Sequence, residues 1–328
     1  MLKAYDYVEY SPDSGTLQDA GYFKRELEIA RGIVEKIHNN PGNKKHIKGI
    51  PSCPACGGEK LSVFCKKWDV TYLRCESCES VFADVTLGEL EEYGEEDALK
   101  KFRASGQYQE EASQPREATW EESIGWMEFR AFRYLGRNKG LKVLDIGNRY
   151  RSYSEKIAAS GMASGYTLVD SILGGEKLSA GNAGGADIVL YLNQVQQSQD
   201  PRGRLKEISA SMKKGALLFF STRTGTGFDV LTLKGHSKIF PYEHIFLPSK
   251  AGMEIILGEA GFRILEYSTP GRMDVGAVLS QEGHIGDSNY FIKSLIKNGD
   301  RTSLAEFQRF LQKSGMSSYA QVIAVKEM

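Results

Sequence analysis

No apolar run in the chain approaches the roughly 18 residues of a membrane-spanning helix, so no such span is expected. The first fifteen residues, MLKAYDYVEYSPDSG, lack the hydrophobic segment of a secretory signal. Neither sign of charge dominates: 42 basic side chains balance 42 acidic ones over 328 residues. That neutrality argues against a general nucleic-acid binder. No internal repeat or low-complexity tract stands out. Cysteine is scarce. There are five, and none lies outside residues 53–78. A disulfide framework would spread its bridges, and a chain of this length can be stable without them. The expected setting is therefore the cytoplasm, with a small-molecule partner rather than nucleic acid or membrane. The oligomeric state is left open.

What is present is globular. Hydrophobic residues make up 41% and charged residues 26%. The length suits two domains. Cys53-Pro-Ala-Cys56 and Cys75-Glu-Ser-Cys78 are separated by 18 residues. That matches the zinc template of two C-x2-C knuckles about 15–20 residues apart. Cys53, Cys56, Cys75 and Cys78 would close a tetrahedral site with no position open for substrate. Two redox cysteine pairs are the alternative. Residues 61–64 and 69–74 read as ribbon strands. Cys65 reads as a small buried hydrophobe.

Residues 1–20 read as a loose arm. Phe23, Leu27, Ala30, Val34 and Ile37 recur at helical spacing over 21–39. Residues 87–104 are acidic and helical, and 105–117 read as a Gln/Glu/Ser-rich hinge. Trp120, Ile124, Met127, Ala131 and Leu135 form an apolar stripe on a helix over 118–137. From 141 onward short apolar strands alternate with helices. The strands fall at 142–146, 166–170, 187–191, 216–220, 262–267 and 319–325. Helices lie near 152–160, 202–213, 249–260, 289–298 and 303–313. This alternation predicts an α/β fold, Rossmann-like with a mostly parallel sheet. Four units follow: an arm and helix (1–48), a zinc ribbon (49–86), a helical linker or lid (87–137) and a Rossmann-like domain (138–328).

In such a sheet the ligand sits beyond the carboxyl ends of the strands. Asp145 and Gly147 end the first strand of this series, and Asp170 ends the second, 25 residues after Asp145. An acid there can bind ribose hydroxyls. Asp187 opens the third strand. The order Leu-Asp-Ile-Gly, Leu-Val-Asp, Ala-Asp-Ile-Val-Leu, Asp200-Pro and Met-Lys-Lys-Gly-Ala-Leu-Leu resembles class I S-adenosylmethionine methyltransferases. The segment from Pro241 to Ser249, which holds Glu243 and His244, is similar to a branch with an N-terminal zinc ribbon. That branch includes sugar C-methyltransferases of polysaccharide and deoxysugar pathways. The resemblance covers about residues 50–326.

It implies an S-adenosylmethionine-dependent methyltransferase of class I fold, with a zinc ribbon and a small polar acceptor such as a sugar nucleotide. Asp145, Gly147, Asp170 and Asp187 would serve the cofactor. Glu243 and His244 would support proton abstraction beside a carbonyl, a task suited to histidine. The family loop, acid-x-Gly-x-Gly-x-Gly, here reads Asp145-Ile-Gly147-Asn-Arg149-Tyr-Arg151. Arginine at two glycine positions would crowd the methionine end of the cofactor or capture a phosphate or carboxylate. The 193–197 segment lacks the His and Glu usual in the family. The loop from Thr222 to Phe228 could join the same pocket, and His236 is a weaker candidate for acceptor binding. A degenerate fold that has lost the cofactor and serves as a scaffold is the second reading.

Overall fold

The computed structural model of the protein describes residues 21–39, 49–85, 96–113, 117–147, 151–169, 185–241 and 243–327. The arm over 1–20, the loop residues Asn148, Arg149 and Tyr150, and Asp170 lie outside these residues. Helix α1 spans Gly21–Asn39, the stretch whose spacing predicts it. Strands β1 (Leu61–Lys67), β2 (Val70–Cys75) and β3 (Val81–Ala83) form the antiparallel ribbon. Three helices follow: α2 (Glu96–Ala104), α3 (Gly106–Ser113) and α4 (Glu117–Leu135).

Helix α3 falls inside the stretch expected to be a hinge. Gln and Glu favour helix as readily as they favour solvent. Burial of Tyr108, edge-on to Phe102 at 5.2 Å, ties α3 to α2. On α4, Trp120, Met127 and Ala131 are buried as the stripe predicts. Trp126 leaves the stripe to pack edge-on against Phe219 at 5.3 Å, whereas Phe129 stays exposed.

The larger sheet is built from β4 (Leu141–Ile146), β5 (Ala163–Val169), β6 (Ile188–Leu192), β7 (Leu217–Arg223), β9 (Phe262–Ser268) and β10 (Tyr319–Lys326). Their order is β5-β4-β6-β7-β10-β9. The first four run parallel, and β10 lies antiparallel between β7 and β9. Around it lie α5 (Arg151–Ala159), α6 (Pro201–Ser211), α7 (Phe228–Leu233), α8 (Lys250–Glu259), α9 (Asp274–Leu279), α10 (Tyr290–Asn298) and α11 (Arg301–Lys313). The protein is thus mixed α/β with a mostly parallel sheet. Asp200 and Ser249 cap α6 and α8 by accepting from the amides of Gly203 and Gly252. No helix among the described residues is long and apolar enough to cross a membrane.

The ribbon gains a fourth strand from the later part of the chain. β8, only Phe246–Leu247, pairs antiparallel with β3 and makes the ribbon four-stranded, β1-β2-β3-β8. The Ala83 amide also donates to the Ile245 carbonyl at 2.8 Å. Two residues carry no hydrophobic period, so β8 is invisible to pattern reading. Beneath it, Cys53, Cys75, Phe82 and Phe246 share one buried cluster with Leu144, Val189, Phe220 and Met253 of the larger sheet and α8.

Candidate functional site

The four paired cysteines converge. Cys53, Cys56, Cys75 and Cys78 bring their Sγ atoms within 4.8 Å of one another. The Cys53–Cys78 and Cys56–Cys75 pairs are each 3.5 Å apart. Four thiolates at zinc–sulfur bonds of about 2.3 Å would sit about 3.8 Å apart at tetrahedral corners, so the donor set fits a zinc-sized ion. Contact with Cys78, together with burial, pushes the Cys53 thiol up, and the same contact pulls Cys78 down to about 5. A cation would relieve that competition. Cys65 lies apart on β1, and burial raises its thiol to about 11.

The parallel strands reverse direction of growth between β4 and β6, the switch point where doubly wound sheets open a crevice. Asp145 and Gly147 stand there. Asp145 is fully buried, and Tyr166 Oη donates to its Oδ2 at 2.6 Å. Burial, then the Asp145 charge, push the Tyr166 phenol well above its usual range. Gly147 has φ +78°, the left-handed region, and its amide donates to Val169 O at 2.9 Å. A Cβ there would meet Gln194 at 2.6 Å. Gln194 is a site residue that pattern reading of the 193–197 segment misses. Its Nε2 donates to Gly147 O at 2.6 Å across the switch point, and Gln196 Oε1 accepts from the Arg223 amide at 3.0 Å. Their signal was weak: glutamines after a strand, in a segment notable for lacking family residues. Tyr153 stacks on Trp120 and shares a hydrogen bond with Ser123, which is packing.

Asp187 is elsewhere. The parallel register sets Ile188 beside Val143, so Asp187 lies at the amino end of the strands, opposite Asp145. Its Oδ2 accepts from the Lys142 amide at 2.9 Å, and its Oδ1 meets Lys213 at 2.5 Å and Arg137 at 3.0 Å. Burial pushes its carboxyl up, yet Lys213, the Lys142 amide and Arg137 outweigh this and hold it below the usual range.

Glu243 and His244 are both buried in the segment leading into β8. Glu243 pairs with Arg103 of α2 at 2.6 Å, and Arg103 also pairs with Glu26 of α1 at 2.6 Å. His244 Nδ1 accepts from the Phe240 amide at 2.9 Å, which fixes the neutral ring with its proton on Nε2. Held this way, the ring donates from Nε2. Proton abstraction through Nδ1 would require giving up the Phe240 bond. β8 itself lies against the turn after β6 and the loop after β7. The Gly225 amide donates to Pro248 O at 3.3 Å. β8 thereby lies at the carboxyl edge of the sheet, the same edge as Gly147, while the Glu243 and His244 side chains just before it are bound to Arg103 and to the Phe240 amide.

No protein-family model matches the chain, and no curated protein matches it. Among solved structures it is similar to an S-adenosylmethionine-dependent methyltransferase from Mesorhizobium loti, at 14% identity over 63% of this chain and 99% of that one, TM-score 0.35. Coclaurine N-methyltransferase, solved with N-methylheliamine and SAH, matches at 14% over 62% and 73%, TM-score 0.37. Phosphoethanolamine N-methyltransferase 2 of Haemonchus contortus, in complex with S-adenosyl-L-methionine, matches at 14% over 62% and 52%, TM-score 0.35. The fold class rests on the strand order and register, which stand without these likenesses.

Proposed function

We propose that this protein is an S-adenosylmethionine-dependent methyltransferase acting on a small polar acceptor, with zinc held by Cys53, Cys56, Cys75 and Cys78. What supports the reading is that β8, which follows Glu243 and His244 in the chain, lies against the turn after β6 and the loop after β7, at the edge where Asp145 and Gly147 end β4. A ligand at the switch point would meet those side chains from one side and the loops after β6 and β7 from the other.

The described residues fit an adenosyl cofactor at the strand-end turn. Gly147 lets the backbone turn left-handed where β4 ends. Asp145 is locked by Tyr166, so it shapes the turn rather than reaching outward. Asp170, at the end of the second strand of the series, is the residue proposed for the ribose hydroxyls. Asp187 belongs to the proposed cofactor set only through the chain order, and its ion pairs favour a structural role. When bound, S-adenosylmethionine supplies an electrophilic methyl group that transfers by in-line attack once partners are aligned. His244, donating from Nε2, would stabilise an acceptor oxygen that gains negative charge. Glu243, held by Arg103, fixes the backbone turn that aims the ring. The zinc site closes the ribbon and secures β8, with no coordination position for substrate.

Calorimetric titration of the zinc-loaded protein with S-adenosylmethionine and S-adenosylhomocysteine tests the reading. A dissociation constant of roughly micromolar order is expected. No heat of binding up to about millimolar ligand would overturn it in favour of a fold that has lost its cofactor.

A further inference from the structure

A second group of basic side chains collects where the ribbon meets the loop after β7. Lys67 ends β1 and its Nζ donates to Ser237 O, just past the turn of Lys234, Gly235 and His236. That turn presses on the ribbon so closely that a Cβ on Gly235 would meet Lys66 O at 2.3 Å. Arg223 ends β7 on the carboxyl edge of the sheet. Its Nη2 pairs with Asp229, while its Nε is buried with no hydrogen-bond partner among the described residues. His236 stacks on His284 with ring centres 3.9 Å apart and planes within 6°. Lys67 Nζ also lies over Trp68 at 5.3 Å, Trp68 stacks on Phe240 at 6.3 Å, and Phe240 meets His244 edge-on at 5.6 Å.

Cations gathered in a part-buried place repel one another and lose hydration. Burial, then the Arg223 charge, pull Lys67 down to about 8. His236 is lowered by burial, then by His284 and Lys67. Among the described residues, the carboxylate that forms an ion pair with Arg223 is Asp229. Burial pushes that acid up, the neighbouring Asp274 adds to the rise, and Arg223 opposes it. No acid among the described residues forms an ion pair with Lys67. An arrangement of this kind is relieved by an anion from outside.

We infer that Lys67 and Arg223, with the stacked His236 and His284 beside them, form a subsite for an oxyanion group of the acceptor, a phosphate or a carboxylate. Arginine offers its unpaired Nε–H to such a group, and lysine offers a compact charge. Trp68 and Phe240 pack in series between Lys67 and His244. In the proposed methyltransferase, on which the word acceptor rests, an anionic small molecule would be anchored at one end and presented to His244 at the other. The anion site itself stands apart from that reading, because its test requires no cofactor.

The experiment is calorimetric titration of the full-length, zinc-loaded protein with inorganic pyrophosphate and, separately, malonate, without S-adenosylmethionine. At least one should bind below about 1 mM. The tighter of the two identifies the acceptor's group as phosphate or carboxylate. Lys67→Met should weaken that binding about tenfold or more, while Lys66→Met, changing an exposed neighbour on the same strand, leaves it unaltered. A measurement on the unaltered protein covers failure of the variant to fold. Lys67 should be acylated readily near pH 8, and bound pyrophosphate or malonate should protect it in peptide mass spectra. Absence of binding by both probes at about 10 mM overturns the site, as does equal affinity of Lys67→Met and the wild type, or acylation of Lys67 undiminished by the bound probe.

Discussion

Asp187 and Asp145 are chemically the same residue at opposite ends of the same sheet, and only register separates them. Read along the chain, both are acids beside short apolar strands. In the fold, Asp145 is enclosed beside Gly147 at the carboxyl edge, whereas Asp187 is bound by Lys213, Arg137 and the Lys142 amide at the amino edge. Asp187→Asn keeps the shape but loses the charge that these donors share. A loss of about 1–3 kcal/mol in urea unfolding near pH 7 is expected. The folded carboxyl titrates below its unfolded value of about 3.9. Its contribution is therefore complete above that value and fades as pH falls through the folded one. The gap between variant and wild type should narrow in acid. An equal gap near pH 3 and pH 7 would show that the charge of Asp187 is not what the site uses.

Elements were legible in the sequence to the degree that they carry a period. The six strands of the large sheet and α4 announce themselves by apolar runs and a stripe, and the ribbon hairpin by its cysteines. Strand β8 and helix α3 did not. The first is too short for a pattern, and the second has a composition that reads equally as solvent or helix. Strand β8 bears on the site most directly, because the segment leading into it carries Glu243 and His244, and α3 packs on α2, whose Arg103 pairs with Glu243. Arg103 illustrates the consequence. From the sequence it is one basic residue in an acidic helix. In the fold it pairs with two buried carboxylates from distant segments, Glu26 and Glu243. Arg103→Gln removes the cation that both acids share, and a loss of about 3–5 kcal/mol is expected. The Phe240 amide, whose bond to His244 Nδ1 depends on the same turn, should exchange with deuterium faster. Unchanged stability together with unchanged exchange would separate α2 from the site.

At the scale of the molecule, the sequence places a ribbon before an α/β domain, a description that suits two independent bodies. Contacts distant in sequence make them one. Cys53, Cys75 and Cys78 lie in the same buried cluster as Leu218, Phe220, Met253 and Val322. Ser249 Oγ, which caps α8, also donates to Cys78 O. No local pattern reveals such a joint, since each half looks complete along the chain. Metal content should therefore govern more than the ribbon. Chelation of the zinc proposed for the four cysteines should lower the melting temperature of the whole chain in a single transition. Amide exchange should rise at residues 243–247 as well as at residues 53–78, because β8 takes its pairing from β3. Cys78→Ser should reproduce both effects with a loss of bound metal. If calorimetry instead resolved two transitions, with the upper one indifferent to chelation, the ribbon would be an appendage. The Glu243–His244 segment would then owe its position to the α/β domain alone.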